Sequence, residues 1–229
     1  MLRIIGFFIG VVLLLRVLQA VPFIGALFHG MLGFWLGAIV LALLASAVTE
    51  WFVQRRKLEH STRALGHVES PHNQGKLGSL LAAHGKYARA LPCLEFASAG
   101  EPEVAEWHYR RGTTLSALRR NDDALVALER AATIDEEHAY GGVQLALAEV
   151  YARRGNSERV LSALERFDRN HGPNPESCYR RAVELKRLGR RDQARACLRQ
   201  VGELAAHAAR FQRKANRAWV LKALLARVV

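Results

Sequence analysis

The chain is predicted to be all-α: an N-terminal transmembrane helical hairpin, then an α-solenoid of stacked hairpins, then a C-terminal capping helix. Three observations predict this. Leu27 to Val48 is a run of 22 residues without a full charge. Gly78, Gly112, Ala148 and Ala182 each stand twelve residues before Ala90, Ala124, Val160 and Ala194, in units spaced 34, 36 and 34 residues apart. Leu204 to Val228 sets an apolar stripe among arginines and lysines. A small residue recurring at such a period, with a second at a fixed offset, marks helical hairpins that nest on one another.

Charge divides the chain before any motif does. Its 229 residues include 33 basic and 21 acidic ones, a net charge of +12, yet the first fifty hold only Arg3, Arg16 and Glu50. An apolar, membrane-type segment is thereby set apart from a basic remainder. A basic surface suits nucleic acid, acidic headgroups or an acidic protein. Acids are interleaved with the bases through most of the array, however, which fits a solvated helix surface beside an anionic membrane. Cys93, Cys178 and Cys197 are odd in number and form no C-x-x-C pair. A disulfide framework is therefore not expected, and the three read as small core or boundary residues.

Residues 1–50 are read as the membrane hairpin. Leu27 to Val48 would be about 33 Å long as a helix, enough to cross a hydrocarbon core. Ile4 to about Ala20 forms the outward helix, with Pro22 and Gly25 supplying the turn. Gly6 with Gly10, and Gly33 with Gly37, would let two backbones approach closely in lipid. Arg16 falls toward the far end of the first helix, where its stem can reach the headgroups; a buried functional arginine is the alternative. Arg55, Arg56 and Lys57 follow the second span directly. The positive-inside rule then places both ends, and the repeats, in the cytoplasm, with Trp51 and Phe52 at the interface. The rival reading is a signal peptide ending near Ala20, with the later span as an inverted anchor. Arginine outnumbers lysine 27 to 6 amid many alanines, the bias of a GC-rich bacterium, so the expected location is the inner membrane.

Residues 51–70 form a juxtamembrane linker, and Ser70-Pro71 opens the array, serine as cap and proline in the first turn. Four hairpins follow over residues 71–203. The first carries Leu77-Gly78, Leu81, Gly85, Tyr87, Ala90, Leu94, Ala97 and Pro102; the second Gly112, Leu115, Ala124, Leu128 and Ala131. The third carries Leu147-Ala148, Tyr151, Gly155, Val160, Leu164 and Phe167; the fourth Ala182, Leu185, Gly189, Ala194, Leu198 and Val201. Gly78 and its counterparts are read as the contact between the two helices of one unit. Ala90 and its counterparts would admit the next unit, and Leu94, Leu128, Leu164 and Leu198 would fill the seam between units. No hairpin of this kind can bury its apolar face alone, so the array shares one elongated core.

These residues resemble the tetratricopeptide repeat (TPR) family from Pro71 to about Glu203. The opening tryptophan is missing, though Trp107 is near that phase in the second unit. Arg111 and Arg181 stand where leucine is usual, Arg119 in place of the turn glycine and Glu136 in place of the closing proline. The resemblance implies a concave face, built from the first helix of each unit, that receives a protein or peptide. It places there Tyr109, Arg110, Thr113 and Ser116 of the second unit, Leu145, Glu149 and Arg153 of the third, and Tyr179, Arg180, Val183, Lys186 and Arg187 of the fourth. Tyr109-Arg110-Arg111 and Tyr179-Arg180-Arg181 recur two units apart, and tyrosine beside arginine is a common binding pair. The alternative is that the tyrosines pack between units. The family's carboxylate-clamp lysines and asparagines are absent at these positions.

Catalysis has no foothold in the sequence. It contains no glycine-rich phosphate loop and no H-E-x-x-H, and its nine histidines lack metal-ligand spacing. Asp122-Asp123 and Glu136-Glu137 sit at turns and helix ends, where acids are favourable anyway. No enzyme activity, cofactor or metal is expected. Residues 204–229 read as one basic capping helix, with a membrane-lying or partner-docking helix as the alternative. Two functions follow as expectations: a membrane-anchored scaffold for protein–protein interaction on the cytoplasmic face, or a tethered binder of nucleic acid or acidic lipid through that last helix. Nucleic acid is the less expected partner.

Overall fold

The computed structural model describes residue 39, residues 42–50 and residues 70–228. The chain divides into two units, residues 1–61 and 62–229. In the first, residues 42–50 are helical. The rest of the expected membrane hairpin, Arg16 included, and linker residues 51–69 lie outside the described residues. Among those described, no helix is long and apolar enough to cross a membrane.

The second unit is an all-helical solenoid, without a strand among the described residues. Helix α1 (Pro71–Ala83) pairs with α2 (Tyr87–Gly100), α3 (Ala105–Ala117) with α4 (Asn121–Ile134), α5 (His138–Arg153) with α6 (Ser157–His171), and α7 (Pro175–Arg187) with α8 (Arg191–His207). Each second helix also packs on the first helix of the next pair, and α1, α3 and α5 adjoin in series. Helix α9 (Arg210–Val228) closes the stack against α7 and α8.

Local chemistry sets these boundaries. The Ser70 hydroxyl accepts the Asn73 amide at 3.2 Å and Pro71 occupies the first turn, so α1 begins as the sequence implies. Each hairpin turns through a left-handed residue: Gly85 (φ 72°), Arg119 (φ 65°), Gly155 (φ 74°) and Gly189 (φ 76°). Glycine enters that region without steric cost; Arg119 has no such freedom. The two residues that lengthen one spacing to 36 fall between α4 and the body of α5. There Ala139, Tyr140 and Gly141 all take positive φ, leaving Tyr140 90% exposed.

The packing corrects one expectation. A methyl group added at Gly78 would lie 2.6 Å from Leu94 Cγ and 3.1 Å from the Ala90 carbonyl; at Gly112 it would meet Leu128 Cγ at 2.6 Å and the Ala124 carbonyl at 3.2 Å. Ala90, Ala124, Leu94 and Leu128 therefore close each hairpin on its own first helix, a contact the expected seam role had left out. The seam uses a neighbouring phase: Leu91 of α2 joins the core of the second and third units. A further close approach, which the repeat pattern did not reveal, has Trp107 lying on Gly75, with its indole N–H donating to Glu101 at 2.6 Å.

The C-terminal boundary also differs. Leu204 to His207 complete α8, Ala208 is extended (φ −66°, ψ 146°), and only then does α9 start. No helix breaker stands there. The break lets α9 fold back so that Trp219, Val220 and Ala223 cover Cys178, Ala182, Leu198 and Val201. Burial on this scale outweighs the helix propensity of one alanine.

Candidate protein-binding face

The first helices present their predicted residues at helical spacing. Tyr109, Thr113 and Ser116 recur at i, i+4, i+7 on α3, and Leu145, Glu149 and Arg153 at i, i+4, i+8 on α5, which aligns each set along one side. The structure gathers Arg110, Thr113, Ser116, Glu149 and Arg153 around a cleft of about 350 Å³, walled on the first-unit side by Ala82, Ala83 and Tyr87. Tyr179, Val183, Lys186 and Arg187 line a second cleft, of about 610 Å³, with Lys222 and Leu225 of α9. The predicted residues thus form two places, one spanning three units and one at the end of the array. Tyr109, Leu145 and Arg180 line neither; the first two pack against the core.

Most of the arginines are already engaged. The Arg153 guanidinium donates to the Ser116 hydroxyl at 2.8 Å, to the Ser116 carbonyl and to Glu149. The other Glu149 oxygen accepts from Arg180 at 3.0 Å, and Arg180 also pairs with Glu176 at 2.8 Å. Arg110 donates to Glu106 at 2.7 Å. Arg187 donates at 3.0 Å to the buried Glu184, whose second oxygen accepts from Ser157 at 2.7 Å. A polar ladder therefore ties the second unit to the third and the third to the fourth. Among the described residues, Lys186 and Lys222 are the cleft cations without an ion pair, and the Thr113 hydroxyl donates to the Arg110 carbonyl at 3.0 Å.

The tyrosines pack between elements. Tyr109 meets His138 edge-on at 5.5 Å, and Tyr179 meets Trp219 at 5.8 Å. Arg110 lies over the Tyr109 ring and Arg180 over Trp219, each 5.7 Å from the ring centre. Burial pushes the Tyr109 phenol up; Arg110 opposes this, while Glu106, Glu176 and Glu149 add to it. Burial would raise Glu106 too, but its hydrogen bonds and attraction to Arg110 and to His138, 2.6 Å away, prevail and hold it below the usual carboxylate range.

Glu106 and Glu176 were missed in the sequence, although their signal is present. Each stands four residues before its arginine, in a recurring Glu-x-x-Tyr-Arg-Arg, the spacing at which helix neighbours pair. The cross-unit pair of Glu149 with Arg180 has no local signal. No group of histidines, cysteines and acids among the described residues could hold a metal. The three cysteines are free, and burial pushes Cys178 up to about 11, a thiol and not a thiolate at neutral pH.

A solenoid of helical pairs with its polar clefts on the first helices is a TPR-like fold. The family model for the tetratricopeptide repeat matches residues 175–207, the fourth hairpin. Among solved structures, the fold is similar to MamA 41-end from Desulfovibrio magneticus RS-1, at 19% identity over 73% of this chain and 97% of that one, with a TM-score of 0.61. It is also similar to a thermophilic TPR protein from Thermus thermophilus, at 21% identity over 80% and 97% of the two chains, with a TM-score of 0.59. Another crystal structure of MamA matches at 18% identity over 75% and 89%, with a TM-score of 0.58. No curated protein matches the sequence.

Proposed function

We propose that the chain is a membrane-anchored TPR scaffold that holds a protein or peptide against its first helices on the cytoplasmic face of a bacterial inner membrane. The cleft drawn from three successive units carries this reading. Thr113 lines it together with Arg110, Arg153, Tyr87 and Ala146, so that a bound segment would touch apolar, hydroxyl and charged groups together. The anchor rests on the sequence: the uncharged run from Leu27 to Val48 is long enough to span, and the basic residues after it orient the repeats.

The test is crosslinking in native membranes with a photoreactive residue at Thr113. One discrete protein adduct, absent when the probe sits at exposed Glu165 on α6, is the expected result. Labelling of lipid alone, or equal labelling at both positions, overturns the groove. Extraction tests the anchor: release of the chain by carbonate without detergent would rule it out.

A further inference from the structure

Helix α9 packs on α7 and α8 as each earlier first helix packs on the unit before it, and among the described residues no second helix covers it. In α3, Trp107 meets the preceding unit at Gly75, whereas Gly112 and Leu115 lie under the helix's own partner, α4. At about 100° per residue these positions differ by a rotation of about 80° to 140°. A turn of similar size carries α9 from Ala223, buried against the fourth unit, to Leu221 and Leu224. These stand 59% and 51% exposed, and Leu225 beside them 62%. Three neighbouring leucines left to water mark a contact surface.

We infer that this face docks an amphipathic helix of a partner protein, leucine-type on one stripe and acidic beside it, in the position that a second helix takes in the earlier units. Charge selects the partner. Lys214 and Arg217, two turns and one turn before Leu221, are exposed and have no carboxylate within ion-pair reach among the described residues, and Lys222 engages only the Trp219 ring, 4.1 Å away. A second copy of the chain would bring the same cations against them, whereas an acidic helix pairs with them while its apolar stripe covers the leucines. The adjoining end of α8 agrees. Arg195 holds the phase of Leu91, Leu125 and Leu161, and Arg199 that of Glu95, Glu129 and Glu165. The last hairpin thus replaces an apolar seam and an acid by two bases, opening a cleft of about 570 Å³ with Lys186 and Arg191 at its rim. This inference rests on the scaffold reading and names the chemistry of one partner.

The experiment uses the full chain in zwitterionic nanodiscs, with empty discs as the blank, and fluorescence anisotropy of three synthetic helices. The first has leucines at i, i+3, i+4 and i+7 flanked by glutamates; the second has lysine for each glutamate; the third has serine for each leucine. The first alone should bind, with affinity falling as salt rises. L221S/L224S, with an unchanged melting curve because both side chains are exposed, should weaken it at least tenfold, and Arg217→Glu should weaken the first peptide while admitting the second. Equal binding of the first two peptides, or full affinity in L221S/L224S, overturns the inference. So does no peptide binding accompanied by a leucine-dependent dimer, or by leucine-dependent capture of phosphatidylglycerol vesicles. If the peptides fail while the Thr113 probe still captures a protein, only the terminal face is refuted; if both fail, the scaffold reading falls with it.

Discussion

Arg119 stands where the other three hairpins turn on glycine, and it adopts the same left-handed backbone. A side chain in that region costs about 1–2 kcal/mol, whereas glycine there costs only the extra freedom of the unfolded chain, about 0.4–1 kcal/mol. Arg119→Gly should therefore stabilise the protein by up to about 1 kcal/mol, read as a higher midpoint in thermal unfolding of the full chain. At Gly112 the sign reverses. Valine would set its first carbon 2.6 Å from Leu128 Cγ, with the Ala124 carbonyl behind it. Overpacking of this kind costs about 1–3 kcal/mol, so Gly112→Val should lower the midpoint by several degrees. Both positions were legible in the sequence, one as a departure from a turn glycine and one as a recurring small residue. Which leucine lay over Gly112 was not: a period gives the phase of a side chain, and Leu128 could have faced either neighbour until the helices were placed.

Helices α3 and α5 are joined by an acid that titrates. Glu106 accepts from Arg110 on its own helix and meets His138 at the start of the next unit. Its folded pKa lies below the ordinary value of 4.5. The stability it contributes is complete above that value and is lost as pH falls through the lower, folded one. Unfolding followed from pH 6 downward should lose stability below about pH 4.5, and Glu106→Gln should flatten that part of the curve; an unchanged slope would remove the junction from the account. At this scale the sequence was read well for helix existence and poorly for helix junctions. The spacing of 36 announced two additional residues between Gly112 and Ala148, but not that they fall between α4 and the body of α5, nor that Ala139, Tyr140 and Gly141 would coil left-handed. Leu204 to His207 gave no stop signal, since the break at Ala208 answers to the distant surface of Cys178 and Val201 that α9 covers.

Across the whole array, the side chains expected to grip a ligand also grip each other. The helical array was readable because four units repeat. Arg110, Thr113, Ser116, Glu149 and Arg153, expected on one face from helical spacing, line one cleft. The pairing among these side chains was not legible, because Arg180 reaches Glu149 from 31 positions away. Glu149→Gln should cost no more than about 1 kcal/mol, the scale of an exposed ion pair, yet it removes a charge partner from two guanidinium groups at once. The variant should melt slightly lower and retain more of an acidic peptide on the first helices than the natural chain does. One carboxylate shared by Arg153 and Arg180 thus behaves as a resident decoy. On the proposed function, an acidic ligand would have to displace it, so binding there would loosen the links between the second, third and fourth units.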